Sequence, residues 1–323
     1  VVKALSCLAV TLRAVTAEVA VVDARRVRIG VVVCAYNEQA FIEACLRSLV
    51  TQSRRPDEII VVDNASTDGT GALAAGIDGV RVVHEARKGL VVARAAGWRA
   101  STADVLMYLD ADCRAPRDWV ARVERCFARR PALLALSGTY RFYDWHLTGR
   151  TLIRAYDFTV APLTHFAVKY VLRKGVVFYG GNFAVRTDAL AAIGGFDTAI
   201  EFHGEDTNLG RRLAAVGEVA LRDDCWVYTS ARRYHAMGTW AVVRLYVRNF
   251  WSEILRHRPA DRTHQDVRDT TDPHNLLDRR QSAMPASRPP VTLPATPSSG
   301  ARRGTPDALV PSDGCAGAPP EDR

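Results

Sequence analysis

Four short apolar runs, each cut off by polar residues, constrain this chain more than any other feature. They are Arg28 to Cys34 (RIGVVVC), Glu58 to Val62 (EIIVV), Val80 to His84 and Val105 to Leu109 (VLMYL). Runs of this length and β-branched content read as strands buried on both faces. Between them, apolar residues at 41, 42, 45, 46 and 49 have helical spacing, and a second helix is expected from about Leu90 to Ala100. Strand and helix alternating four times within the first 110 residues predict an α/β fold, a mostly parallel Rossmann-like sheet flanked by helices. In such sheets ligands sit outside the carboxyl ends of the strands. Asn37, Asp63 and Asp110 all lie just past strand ends, so they should line one crevice.

The fourth run ends in Asp110-Ala111-Asp112. On an extended backbone residues i and i+2 point to the same side, so the two carboxylates would converge. Carboxylates at the end of a buried strand need water, a basic partner or a cation. Oxygen ligands suit Mg²⁺ or Mn²⁺, which commonly complete their shell with substrate phosphates. A solvated aspartate pair opening a turn ahead of Pro116 is the alternative, and the shared crevice with Asn37 and Asp63 favours the cation.

Further along, Trp119 to Ala128 reads as a basic helix, Ala132 to Tyr140 as a strand and Tyr156 to Leu172 as a helix. Phe178 to Val185 looks like a strand holding the pair Gly180-Gly181, where a ligand or another backbone could approach closely. A simple bulge explains it equally. Asp206 to Gly217 reads as a helix, which puts Glu205 and Asp206 at its start, where the backbone dipole favours acids whether or not they do chemistry. Val219 to Tyr228 reads as a strand. Trp240 to Arg256 is a helix that either packs or lies on an anionic membrane, packing being the simpler reading.

The net charge of +8 belongs to the body of the chain, because from Arg258 onward nine arginines meet nine acids. A basic body fits anionic partners such as nucleotide phosphates or lipid headgroups; no arginine-and-aromatic module for nucleic acid is present. Seven cysteines without a C-x-x-C pair read as reduced thiols rather than a disulfide framework. No charge-free apolar stretch long enough to span a bilayer occurs, and Val1 to Val22 is interrupted by Lys3, Arg13 and Glu18. The expected divisions are an N-terminal segment (1–27), one catalytic domain (28–257) and a tail (258–323) that carries eleven of the fifteen prolines and reads as disordered. The expected location is the cytoplasm, at the inner face of the membrane if the chain touches one.

In order and at compatible spacing, the chain contains VVVCAYNE, IIVVDNASTDGT, LDADC, GGNFAVR, GGFD and GEDTNLGRRL. Over roughly Arg28 to His235 this set resembles the inverting GT-A glycosyltransferases of family 2. The resemblance implies a nucleoside-diphosphate sugar, UDP-linked, as donor, and Mn²⁺ or Mg²⁺ as cofactor. It makes Ala35, Tyr36, Asn37, Glu38 and Asp63 the nucleotide-binding loops, and Arg94 the basic residue near the diphosphate. Asp112 would be the direct metal ligand. Asp110, with Ala111 between them, would contact the ribose or a metal-bound water. Gly181 and Asn182 would lie under the donor sugar and acceptor. Asp206 would be the general base, with Glu205 beside it. Processive members of the family carry Q-x-x-R-W and several membrane spans, whereas this chain has Ala231-Arg232-Arg233-Tyr234-His235, so transfer of a single sugar is expected. Arg232 and Arg233 would hold phosphate and His235 a metal, or all three are surface and packing. The acceptor could be a glycan, a lipid-linked molecule or a small molecule, with peripheral membrane contact. Two rivals remain: a nucleotidyltransferase, which would normally show a Gly-rich basic loop after the first strand, and a non-catalytic nucleotide-sugar-binding relic.

Overall fold

The four runs form strands. In the computed structural model, which describes residues 26–200, 203–258 and 260, β1 (Ile29–Ala35), β2 (Glu58–Asp63), β3 (Arg81–His84) and β4 (Val105–Asp110) pair in parallel. Ala35 is level with Asp63 and Cys34 with Asp110, so the polar strand ends emerge at one height. Helix α1 (Ile42–Val50) buries Ile42, Cys45, Leu46 and Leu49, as the spacing predicts, against one face of the sheet. After α2 (Thr70–Ala75), helix α3 (Leu90–Ala100) buries Ala93 and Ala96 against Val32 and Val62 on the opposite face. Helices on both faces explain the buried apolar runs of β1, β2 and β4, whereas β3, at the edge of the sheet, is half exposed and has Arg81 and His84 at its ends.

Helix α4 (Trp119–Arg129) leads to β5 (Leu133–Phe142), and the remaining strands are β6 (Asn182–Arg186) and β7 (Glu218–Thr229). The sheet order is β3-β2-β1-β4-β6-β5-β7. Strand β6 runs antiparallel between β4 and β5, and β7 lies parallel to β5 at the edge. The expected strand over Phe178 to Val185 begins only at Asn182. Ahead of it, the Tyr179 N–H donates to Ser137 Oγ (2.7 Å) and the Gly181 N–H to Tyr140 Oη (2.8 Å). Side chains hold this stretch in place of a strand ladder.

The single helix expected over Tyr156 to Leu172 is instead α5 (Leu147–Phe158), α6 (Val160–Phe166) and a π-helical turn (Ala167–Val171). Pro162 has no N–H for the Phe158 carbonyl, and the chain breaks just before it at Thr159. The rest comprises α7 (Thr187–Ala192), α8 (Glu205–Ala214), α9 (Arg232–Met237) and α10 (Thr239–Arg256). Helix α9 has no buried residue, so no apolar periodicity announces it. Residues 1–25 of the N-terminal segment, and all of the proline-rich tail but Arg258 and Ala260, lie outside the described residues. Among the described residues no helix is long and apolar enough to cross a membrane.

Candidate active site

Past β1 and β2 two loops are hydrogen-bonded to each other. Asn37 adopts a left-handed conformation (φ 51°), which asparagine tolerates better than most residues. Its N–H donates to Ser66 Oγ (3.1 Å), and its side-chain oxygen accepts from the Thr67 N–H (2.8 Å). The Glu38 N–H donates to Thr70 Oγ1 (2.8 Å). The Asp63 carboxylate accepts from the Ser66 N–H (3.3 Å) and lies 3.2 Å from His84 Nδ1. Asn64 ties in the loop after β3, donating to the Glu85 and Arg87 carbonyls and accepting from the Gly89 N–H. That loop sets Lys88 Nζ over the Tyr36 ring, 3.7 Å from its centre.

Strand β4 stops at Asp110, and the Cys113 N–H turns back to the Asp110 carbonyl (3.0 Å). The extended i, i+2 geometry expected for Asp110 and Asp112 therefore does not occur; Asp112 sits in the turn. There its Oδ2 lies 3.0 Å from Arg232 Nε. The two terminal nitrogens of the same guanidinium donate to the two oxygens of Glu38 (2.8 and 2.7 Å). Burial works against the Arg232 charge, but Asp112 and Glu38 outweigh it and hold the group protonated. This corner is built for positive charge. Asp110 and Asp112 offer hard oxygen donors that fit Mn²⁺ or Mg²⁺. Among the described residues no three His, Cys, Asp or Glu side chains converge to hold a metal by themselves. The donor set thus suits an ion completed by water and phosphate oxygens, not one in an all-protein cage.

Glu205 and Asp206 form the first turn of α8, entered through Gly204 in a left-handed conformation (φ 83°). Burial raises the Glu205 carboxyl well above the usual carboxylate range, and the neighbouring Asp206 charge raises it further. Burial also raises Asp206, partly offset by the Thr207 N–H (2.6 Å) and by Arg94. Arg94 on α3 is itself buried; it donates to the Gly180 carbonyl (2.7 Å) and lies 3.3 Å from Glu205 Oε1.

The Gly180-Gly181 pair joins the two groups of acids. A Cβ on Gly181 would meet the Asp110 carboxylate and come 2.6 Å from Tyr140 Oη. A Cβ on Gly180 would lie 3.0 Å from the Asp206 Cβ and 3.2 Å from Glu205 Oε1. Only glycine allows both acids to approach one short piece of main chain.

The structure thus places Asn37, Glu38, Asp63, Asp110 and Asp112 at or just past the ends of β1, β2 and β4, with Tyr36 beside them. It brings Glu205 and Asp206, at a helix start as expected, to the glycine pair that Asp110 touches. Other residues are placed differently. Asn182 does not face the crevice: its amide donates to the Thr139 and Cys225 carbonyls (3.0 Å each) and accepts from Trp119 Nε1 (3.2 Å). Ala35 and Ala111 turn their methyl groups into the core. Arg94 is occupied by the acid pair and the glycine loop, where a diphosphate contact was expected. His235 Nε2 lies 3.2 Å from the Asp144 carbonyl, with no contact to the aspartate pair. Sequence reasoning missed Tyr140 and Tyr179, whose Oη bonds the Asp157 carboxylate (2.9 Å). The only signal was for Tyr179, which precedes a glycine pair; nothing local marks Tyr140.

A sequence profile described as "Glycosyl transferase family 2" matches residues 30–194, just over half of the chain. Glycosyltransferase AglE of Haloferax volcanii is 26% identical over 196 residues, which cover 58% of this chain and 62% of AglE. The chain therefore matches less than two thirds of that relative's length. Succinoglycan biosynthesis protein ExoM of Rhizobium meliloti is 27% identical over 230 residues, 68% of this chain and 72% of ExoM. In three dimensions the chain is similar to the mannosyltransferase PcManGT of Pyrobaculum calidifontis, solved with GDP-Man and Mn²⁺. The TM-score is 0.57 at 22% identity, covering 80% of this chain and 74% of that one. S. aureus TarS gives a TM-score of 0.52 at 15% identity, covering 80% and 72%. At such identities the likeness speaks for the fold, which is GT-A. With its strand-end acids gathered around the glycine loop and more than half its length matched by the family profile, the chain belongs to glycosyl transferase family 2.

Proposed function

We propose that this chain transfers a single sugar from a nucleoside-diphosphate sugar, UDP-linked, to an acceptor hydroxyl with inversion at the anomeric carbon. The observation that carries the reading is the glycine pair, against which Asp110 packs from one side and Asp206 from the other. Donor and acceptor groups would then meet over one short loop. Tyr36, Asn37, Glu38 and Asp63 form the nucleotide end, with Lys88 over the Tyr36 ring beside them. Asp112, assisted by Asp110, would hold Mn²⁺ or Mg²⁺, which when bound neutralises charge on the leaving diphosphate. Arg232 adds a positive charge in the same corner, where negative charge grows as the sugar–phosphate bond breaks. Asp206 accepts the proton of the attacking hydroxyl. Its raised pKa makes it a stronger base than an exposed aspartate, and Arg94 keeps the acid pair from being wholly protonated. One base and one in-line displacement turn an α-linked donor into a β-linked product.

The acceptor is proposed as a glycan, lipid-linked or small-molecule hydroxyl, met in the cytoplasm at the inner membrane face. The direct test is transfer from UDP-sugars with Mn²⁺ present. Asp206→Asn should lose about 10²–10⁴-fold in rate while its melting temperature is kept. Full activity in that variant removes the base assignment, and NMR of a product with retained configuration removes inversion.

A further inference from the structure

The exposed apolar side chains are distributed very unevenly. Of nineteen large ones exposed among the described residues, sixteen lie on two helical segments, 147–172 and 240–255, so the exposure is a local feature and not ordinary surface scatter. On the first segment Leu147 and Phe158 are each 76% exposed, with Leu163 and Val171 close behind. On α10 the outward residues Trp240, Val243, Val247, Trp251 and Leu255 recur at three- and four-residue steps. Val242 and Ile254 of the same helix are buried. The helix therefore has an apolar stripe on its solvent side, where a surface helix normally carries polar groups.

The two segments are tied to each other at both ends. Trp145, just before α5, packs at a tilt against Tyr234 of α9, with ring centres 4.5 Å apart. Gly175, just after the π-helical turn, lies against α10, where a Cβ on it would come 2.8 Å from the end of the Ile254 side chain. The charges along both segments have one sign. Arg150, Arg173, Lys174, Arg244 and Arg256 are exposed, whereas the acids there, Asp157 and Glu253, are buried. Exposed aromatic and aliphatic residues interspersed with exposed bases fit the interface of an anionic bilayer, where the rings enter the headgroup region and the bases meet lipid phosphates.

We propose that the face formed by 147–174 and 239–256 docks on an anionic lipid surface. This face adjoins the acid pair through Asp157 of α5, whose carboxylate accepts from the hydroxyl of Tyr179, the residue before Gly180. Docking would bring the acceptor side of the site to headgroup level, which selects acceptors carried by lipid; this second half of the inference rests on the proposed function.

The test is flotation of the full chain with vesicles of phosphatidylcholine alone or mixed with phosphatidylglycerol, without donor or acceptor. Binding is expected to the mixed vesicles only and to weaken with added salt. Phe158→Ser with Trp240→Ser, and separately Arg150→Glu with Lys174→Glu, should each reduce it by about tenfold or more. All four side chains are exposed and none belongs to the acid, glycine or loop contacts of the site, so melting temperature and Mn²⁺-dependent donor hydrolysis should be unchanged. Three results would overturn the proposal. The first is that the full chain floats with neither vesicle, as when its own remaining residues cover the face. The second is that both double variants bind like the parent. The third is that sedimentation shows a dimer that the same substitutions dissociate, making the face a contact between copies. Because flotation needs no transfer, a chain that binds vesicles but transfers nothing refutes the proposed function alone.

Discussion

The half of the site built from β1 to β4, proposed to take the donor, and the half built from the glycine loop to α10, proposed to take the acceptor, each neutralise the other's acids. Arg94 leaves the donor half to reach Glu205 and the Gly180 carbonyl, 111 and 86 residues away in sequence. Arg232 leaves the acceptor half to grip Glu38, 194 residues away, and Asp112. The difference lies in what each arginine faces. Arg232 spans two loops and sits where a metal and diphosphate would bring further charge, so it is placed to rearrange on binding. Arg94 is nearly wholly buried and serves an acid pair that burial has pushed toward protonation. A buried ion pair of that kind is costly to break from one side, because the remaining charge is stranded. One half is therefore held by a replaceable counter-charge and the other by a permanent one.

The sharpest attack on this contrast is Asp112→Ala, which removes an acid from the replaceable corner. Transfer should fall by about 10³-fold and Mn²⁺ binding, read by calorimetry, should be lost, while the fold remains. Retention of Mn²⁺ binding would place the metal elsewhere. Next comes Arg94→Met. Above the raised pKa of Glu205 it should cost about 3–5 kcal/mol of stability by stranding that charge. Below it, where Glu205 takes up a proton, the cost should be less, as chemical denaturation at the two pH values would show.

Its pH signature is separate. Asp206 works only when ionised, so the rate falls as pH drops through its raised pKa. Arg94 lowers that pKa, so removing it should move the acid limb of the rate profile to higher pH. The same raised carboxyls also make stability pH-dependent. The folded state holds protons that the unfolded chain has released, so their contribution is complete below the ordinary carboxylate range and is lost as pH rises through the raised values. Asp206→Asn should flatten part of that decline; an unchanged profile would show that the pair is not the source.

A smaller effect is expected for Arg232→Gln. Donor affinity should drop by about tenfold, whereas Mn²⁺ alone should bind more tightly, because Asp112 no longer has a resident cation. Weaker Mn²⁺ binding would mean that Arg232 orders the ligands instead of competing for them. The mildest change is Lys88→Ala, which removes the cation over Tyr36 and should weaken nucleotide binding by only about fivefold.

The first half of the molecule was legible because its strands are buried on both faces. Continuous apolar runs broken by polar turns leave little choice of structure, and β1, β2 and β4 fall within a residue or two of the expected spans. Strand-end chemistry followed from the same pattern, which is why Asn37, Asp63, Asp110 and Asp112 could be named. The middle was harder to read because its order comes from side chains bonding to main chain. The Asn182 amide looks like part of a binding loop in sequence, yet it is used to tie β5, β7 and α4 together. Likewise Pro162 divides a segment whose apolar spacing alone reads as one helix.

By itself the sequence determined the parallel α/β framework, the height at which its acids emerge and the family to which they belong, since these depend on local burial pattern and motif order. Tertiary structure alone decided which charge answers which. The partners of Glu38, Asp112 and Glu205 lie more than a hundred residues away, and no periodicity carries information over that distance. The same holds for the two apolar helical faces. The spacing of Trp240 to Arg256 fits packing as well as a membrane surface, and only the fold shows which apolar side chains of the two segments stay exposed among the described residues.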